Sequence, residues 1–340
     1  MITASRLSTL LLTATVAALA AGCERPPTTA KQLGYRGVGM EQVSNPRAER
    51  EKLAAIKLPD VQPPADPGGG KAAQVFQNVK VLGDLTENEL LRTMAAVTDW
   101  VAPDQGCAYC HNVENLADDK MYTHKVARRM FQMTRHINET WKSHVGETGV
   151  TCYTCHGGKP VPKDIWFSEK DTTAPYRMAG YTGGGQNHAS KIIGTTSMHA
   201  DPFTELLGGS KSEIRVQATQ ALPSAHKASI QSTEKTYALM IHMSQSMGVN
   251  CTYCHNSRAF GNWSQSTPQR TTAWHAIRMV RDVNATFLTP LQSTYPANRL
   301  GPTGDAPKAF CATCHQGLPK PLNGAQLLKD YQELKKASLR

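Results

Sequence analysis

Aromatic side chains are scarce in this chain, at 6% of its 340 residues, and side chains alone would build it only a thin core. Beyond the N-terminus no apolar run is long enough to cross a bilayer as a helix. No basic run is interleaved with aromatics, so a nucleic-acid-binding role is excluded despite a formal charge of +10. Regular structure is also limited: 26 glycines and 20 prolines point to long irregular segments. The length allows two domains or one repeated unit.

What is present in pattern is cysteine. Eight of the nine cysteines fall in four C-x-x-C-H motifs: Cys107/Cys110/His111, Cys152/Cys155/His156, Cys251/Cys254/His255 and Cys311/Cys314/His315. This is the attachment signature of a c-type haem. The two thiols bond to the haem vinyl groups, and the adjacent histidine supplies one axial ligand to iron. Four motifs imply four covalently bound haem c groups. Buried macrocycles would then supply the apolar core that the side chains lack. Their propionates would bring up to eight negative charges and leave the loaded protein near neutral.

The ninth cysteine has a different setting. Arg6 is followed by an apolar stretch from Leu7 to Ala21, then Gly22-Cys23. This reads as a signal peptide over residues 1–22, too short for a comfortable membrane span. Covalent haem attachment in bacteria also takes place outside the cytoplasm. Leu19-Ala20-Ala21-Gly22-Cys23 resembles a lipoprotein box, with the branched apolar residue one place early. A lone thiol is a liability in an oxidising compartment, so Cys23 is expected to be the lipidated mature N-terminus.

Residues 23–75 are polar and Pro-rich, and read as an extended, lipid-anchored arm. The remainder repeats. Cys107-x-Tyr-Cys-His-Asn112 matches Cys251-x-Tyr-Cys-His-Asn256. Met133-x-Arg135-x-Ile137-Asn138 matches Met279-x-Arg281-x-Val283-Asn284, and Cys152-x-Thr-Cys-His-x-Gly158 matches Cys311-x-Thr-Cys-His-x-Gly317. The expected organisation is a first dihaem repeat over 76–162, a connecting segment over 163–228, a second dihaem repeat over 229–325 and a tail over 326–340. A local two-fold axis would relate the repeats. Helices are expected before and between the motifs. One opens on a capping box at Thr86–Glu89 and carries Leu90, Met94, Val97 and Val101 at helical spacing. Ser232–Met247 is its counterpart, closed by Gly248; Val126–Trp141 and Ala273–Leu288 are the other two. The fold class is mostly α: a multihaem cytochrome c with long loops.

The sixth iron ligand decides whether a haem only passes electrons, and a thioether there raises its potential relative to a second imidazole. Met94 and Met240 lie on equivalent helices, thirteen and eleven residues before Cys107 and Cys251. Met243 and Met247 share a face with Met240 and compete with it. Met130, Met133 and His136 are available to the second haem. Met133 is matched by Met279, but Met130 is matched by Ala276, which cannot bind iron. If Met130 serves the second haem, the fourth must recruit His144, His275 or His242.

Taken together, these stretches resemble the tetrahaem cytochrome subunit of the purple-bacterial photosynthetic reaction centre, from about Gly34 to Tyr331. Leu91-Arg-Thr-Met94, Ala127-Arg-Arg-Met130, Gly149-Val-Thr-Cys-Tyr-Thr-Cys-His156 and Ile277-Arg-Met-Val-Arg-Asp282 carry much of the likeness. The resemblance implies axial pairs Met94/His111, Met130/His156 and Met240/His255, with His144/His315 at a bis-histidine fourth haem. It also implies a near-linear array in the order 1–2–4–3, and Arg270 near the third haem. The implied partners are the L- and M-type membrane subunits, the membrane through lipidated Cys23, and a soluble periplasmic donor. That donor would be a cytochrome c or a high-potential iron–sulfur protein.

The expected function is electron relay to the photo-oxidised bacteriochlorophyll special pair, at the periplasmic face of the bacterial inner membrane. With all sixth positions filled, the chain is an electron carrier and not an enzyme. From Asp84 to Asp119, eight acidic residues stand against Arg92 alone, which suits a basic donor at the first haem. The rival readings are a multihaem oxidoreductase with one open haem, and a free periplasmic carrier without a photosystem partner.

Overall fold

The computed structural model describes residues 27–170, 198, 201–209, 212–217 and 228–335. The signal peptide and Cys23 therefore lie outside the described residues, as does much of the connecting segment. The described chain is mostly α-helical. Its β structure is one antiparallel hairpin, β1 (Thr29–Gln32) and β2 (Glu41–Ser44), in register Thr29↔Ser44 to Gln32↔Glu41. Among the described residues, no helix is long and apolar enough to cross a membrane.

After the hairpin come α1 (Pro46–Ala54) and a single turn, α2 (Ala72–Val75). Asn45 caps α1 by accepting the N–H groups of Arg47 and Ala48, and Pro46 opens it. Four longer helices form the body: α3 (Glu87–Val101), α4 (Tyr122–Thr140), α8 (Ile230–Met247) and α9 (Pro268–Val283). Short turns lie between them: α5 (Lys142–Val145), α6 (Cys152–His156) and α7 (Phe203–Leu206); α10 (Cys311–His315) follows α9.

The capping box of α3 forms as its sequence dictates. Thr86 Oγ1 accepts the Glu89 N–H at 3.2 Å, and the Glu89 carboxylate accepts the Thr86 N–H at 2.8 Å. The apolar stripe divides, however. Leu90, Thr93, Ala96 and Trp100 are buried in protein, whereas Met94, Val97 and Val101 are only half-buried. Val97 and Val101 instead line a cavity between helices. Gly248 stops α8 in the left-handed conformation, at φ +64°. A β-carbon there would collide with the Gly317 carbonyl oxygen. Helix α9 begins on Pro268, at the position where a missing N–H costs nothing. It widens into a π-helical turn, Asn284–Leu288, before Pro290 ends it.

Two apolar clusters hold the body. One gathers Trp166, Phe203, Leu207, Leu239, Met243, Val280 and Phe310; the other gathers Leu85, Leu90, Trp100, Phe131, Leu328, Tyr331 and Leu334. Two segments outside the expected dihaem repeats belong to these cores. Phe203, Leu206 and Leu207 come from the connecting segment, and Leu328 to Leu334 from the C-terminal tail. The tail is clasped by charge as well. Glu333 accepts from Arg92 at 3.0 Å and from the Thr93 hydroxyl at 3.2 Å. Buried Arg135 grips the Asp84 carboxylate with both terminal nitrogens and donates from Nε to the Glu333 carbonyl.

The arm, expected to be extended, is a strap folded onto this body. Asn250 donates its N–H to the Gln42 side chain, and the Thr252 hydroxyl donates to the Glu41 carbonyl. Further along, the Tyr153 hydroxyl donates to the Lys57 carbonyl, and the Gln62 N–H donates to the Tyr331 hydroxyl. A Pro-rich segment with no core of its own can still order by lending its free backbone groups to side chains of the body.

Candidate haem-attachment sites

The four C-x-x-C-H segments take two forms, and the third residue of each decides which. At Cys152 and Cys311 that residue is threonine. Thr154 Oγ1 accepts the Thr151 N–H at 3.0 Å, and Thr313 Oγ1 accepts the Phe310 N–H at 3.1 Å. The hydroxyl caps the segment, which closes as one α-helical turn. At Cys107 and Cys251 the residue is tyrosine, and the segment is a 3-10 turn, Gly106–Tyr109 or Cys251–Tyr253. Here a threonine on the following chain completes the bonding. Thr123 Oγ1 donates to the Tyr109 carbonyl at 2.7 Å, and Thr267 Oγ1 to the Tyr253 carbonyl at 2.6 Å.

All four motif histidines are held in one way. Nδ1 of His111 meets the Leu116 carbonyl at 3.0 Å, and Nδ1 of His255 meets the Phe260 carbonyl at 2.9 Å. Nδ1 of His156 meets the Lys159 carbonyl at 2.9 Å, and Nδ1 of His315 the Leu318 carbonyl at 3.0 Å. A carbonyl accepts only, so each Nδ1 carries the proton and each Nε2 keeps its lone pair for a metal. Burial favours the same state, since it holds His156, His255 and His315 below the ordinary imidazole value.

The buried motif thiols are held in the neutral form. Burial pushes Cys152 and Cys311 up to about 12, and Cys110 and Cys254 to about 11. Among the described residues, no three His, Cys, Asp or Glu side chains converge to hold a metal ion. The donor set fits a c-type haem: paired thiols beside an imidazole whose orientation and tautomer are already determined.

Neighbouring motifs touch in a defined sequence. Cys110 of the first lines one cavity with Cys152 and His156 of the second. Cys155 Sγ of the second lies 2.8 Å from Cys314 Sγ of the fourth. The fourth meets the helix that leads to the third, where Gly317 donates its N–H to the Ser246 carbonyl at 2.7 Å. Cys107 and Cys251, at the two ends of this series, are exposed.

Among the candidate sixth ligands, Met130 lines the cavity that holds His156. His144 sits on α5 and faces His315, with ring centroids 6.1 Å apart. Its Nδ1 meets the Thr272 carbonyl at 3.2 Å, so its Nε2 is also free. Burial, with the His315 and His275 rings nearby, drives its pKa down to about 4. A metal–nitrogen bond of about 2.0–2.1 Å on each side, with each ring centre about 1.1 Å behind its nitrogen, separates two axial imidazoles by roughly 6.2–6.4 Å. The His144–His315 spacing suits one iron between them. Met94 packs half-buried beside the tail cluster, and Met240 half-buried against the other core.

Several competitors have other work. His136 gives Nε2 to Asp282 at 2.6 Å and Nδ1 to Thr140 at 3.3 Å, so both ring nitrogens are engaged. Met243 is buried in the core, and His242 lies against Phe310 with Nε2 at 3.2 Å from Ser246. Sequence reading passed over His124, whose ring centroid is 4.6 Å from that of His111, too close to admit iron between them.

A family model for the photosynthetic reaction centre cytochrome c subunit matches residues 24–335. The chain belongs to this family. It is 54% identical over 338 residues to the photosynthetic reaction center cytochrome c subunit of Rubrivivax gelatinosus, covering 98% of this chain and 91% of that one. It is 49% identical over 318 residues to the subunit of that name from Thermochromatium tepidum, covering 94% and 78%. Against the Roseobacter denitrificans subunit it is 41% identical over 320 residues, covering 90% and 85%. Membership in the reaction-centre cytochrome family carries with it covalently bound haem c, electron transfer in photosynthesis and association with the reaction centre.

In this reaction-centre cytochrome, the acidic stretch is partly neutralised from within. Asp84 pairs with Arg135, and Asp119 with Arg128 and Lys80. Asp104, before the first motif, remains exposed, as do Val113, Glu114 and Leu116 in the loop after it. Arg270 stacks on Trp263 at 4.1 Å, and its charge bears on Cys254 and His255.

Proposed function

We propose that this chain carries four covalent haems and relays electrons from a soluble periplasmic donor to the photo-oxidised bacteriochlorophyll special pair. The observation that carries this reading is the common posture of the four motif histidines, each with Nδ1 on a carbonyl and Nε2 free. Each haem, when bound, supplies a one-electron iron couple; the chain sets its place and its potential. Cys107/Cys110, Cys152/Cys155, Cys251/Cys254 and Cys311/Cys314 hold the groups. Met94/His111, Met130/His156, Met240/His255 and His144/His315 are the axial pairs. Met130 on the cavity of His156, and His144 opposite His315, support two of those pairs.

The contact series of motifs supports a wire in the order 1–2–4–3, within two dihaem repeats over 76–162 and 229–325. The third-motif end faces the L- and M-type membrane subunits. The first-motif end takes the donor, a soluble cytochrome c or a high-potential iron–sulfur protein, with Val113 and Leu116 as apolar contact and Asp104 and Glu114 as steering charge. Lipidated Cys23 holds the chain on the periplasmic side of the membrane. Two measurements test the reading. Electron paramagnetic resonance of the oxidised protein should show four low-spin haems; a high-spin haem would mean an open site and a different function. Flash excitation of membranes should oxidise these haems within the lifetime of the oxidised special pair, and haems silent to the flash would rule out the relay.

A further inference from the structure

The cavity shared by the first two motifs contains a residue that no motif announced. Arg299 belongs to the second half of the chain, on the turn Ala297–Arg299, yet it lines this cavity with Met130, His156, Cys152 and Cys110. Its Nε is buried and has no hydrogen-bond partner. Among the described residues, only Trp100 Nε1 and Gln269 Oε1 share that condition, and neither lines this cavity. The residue is half-exposed overall, but a buried N–H of a guanidinium, which stays protonated at any ordinary pH, requires a partner.

The described residues do not provide that partner. No ion pair joins Arg299 to a carboxylate among the described residues. Three phenols, Tyr109, Tyr122 and Tyr295, line the cavity with it. Tyr122 and Tyr295 lie with ring centroids 6.1 Å apart. Tyr109 and Tyr295 are not anions: burial raises the first and carries the second up to about 12. One fixed positive charge and a group of phenol hydroxyls, two of them hydrogen-bonded to each other, therefore border a space walled by apolar side chains such as Val97, Val101, Val126 and Phe131. Such a lining is matched by a flat apolar group with carboxylate oxygens at its edge, and a c-type haem has that chemistry, in its two propionates.

We propose that Arg299 is the ion-pair partner of a propionate of the second haem and a determinant of that haem's potential. This rests on the reading of His156 and Met130 as the axial pair of that haem. A positive charge near iron disfavours the oxidised state, which is more positive by one unit, so Arg299 holds the potential up. The position is also asymmetric, because an arginine of the second half tunes a haem of the first.

Spectrally resolved redox titration of the intact holoprotein tests this, with Arg299→Gln, Arg299→Lys and Met130→His compared and haem content measured in each. Arg299→Gln should retain its haem. It should change the reduction equilibrium of one haem tenfold or more toward the oxidised form, which is 59 mV downward for one electron. Arg299→Lys should lower the same component by less, and that component should be the one that Met130→His lowers. Unchanged potentials in Arg299→Gln, with one shifted in Met130→His, overturn the role of Arg299 and leave the axial pair standing. No shift in Met130→His overturns the axial pair. A shift in a component other than the Met130 one overturns the assignment to the second haem. If Arg299→Gln does not accumulate, Arg299→Lys is read alone: a fall supports the ion pair and an unchanged potential overturns it.

Discussion

His144 and His315 come from opposite halves of the chain and face each other at 6.1 Å, each with Nδ1 spent on a backbone carbonyl. Replacing His144 with methionine exchanges an imidazole for a thioether at the proposed fourth haem. The potential of one haem should rise, on the order of a hundred millivolts. Redox titration reads this directly, and four unchanged potentials would remove His144 from the iron.

Asn138 and Asn284 are the paired asparagines of the sequence repeat, and they do one job. Asn138 accepts the Val150 N–H at 2.7 Å and donates to the Val150 and Leu334 carbonyls. Asn284 accepts the Ala309 N–H at 2.9 Å and donates to the Ala309 and Leu207 carbonyls. Each amide thus braces the backbone two residues before a motif, Cys152 or Cys311. Alanine at either position strands backbone groups, at about 1–3 kcal/mol for each buried one. Denaturant titration should show a loss of about 3 kcal/mol or more in each variant; a loss below 1 kcal/mol would mean water replaces the amide.

Gly248 and Gly106 have nearly equal backbone angles, φ +64° and +63°, but different surroundings. Nothing lies near a β-carbon placed on Gly106, whereas one on Gly248 meets the Gly317 carbonyl. Gly106→Ala should cost only the left-handed strain, about 1–2 kcal/mol. Gly248→Ala should cost more, because α8 and the exit of the fourth motif must part. Equal losses in thermal unfolding would show that the close approach is relaxed cheaply.

Asp282 accepts from His136 Nε2 at 2.6 Å, Trp141 Nε1 at 2.8 Å and Thr286 Oγ1 at 2.9 Å. Burial alone would raise its carboxyl, but these donors outweigh it and hold the pKa below the ordinary value. The folded-state pKa is then below the unfolded value of about 3.9. The stabilisation is complete above that value and is lost as pH falls through the folded pKa. The stability gap between the native chain and Asp282→Asn should close as pH falls below about 4. A gap indifferent to acid would show that the carboxylate charge contributes nothing.

Local chemistry was open to reading from sequence wherever it is carried by adjacent residues. The C-x-x-C-H motifs, the Thr86–Glu89 capping box and the Gly248 stop act over five residues or fewer, so order along the chain is enough to specify them. The repeat likewise paired Asn138 with Asn284 before any contact was known. What that pairing does was not legible, because the backbone each amide braces lies 12 or 25 residues away.

Sequence by itself determined the four attachment motifs, their pairing in kind and the family of the chain. Tertiary structure alone decided which distant groups meet. It placed His144 opposite His315, packed Leu328, Tyr331 and Leu334 into the core around Trp100, folded the polar arm as a strap, and carried Arg299 into a cavity of the other half. The physical reason is the same in each case. Burial of apolar surface and satisfaction of backbone polar groups are settled by the whole chain at once, and neither leaves a periodicity or a spacing in the segment it captures.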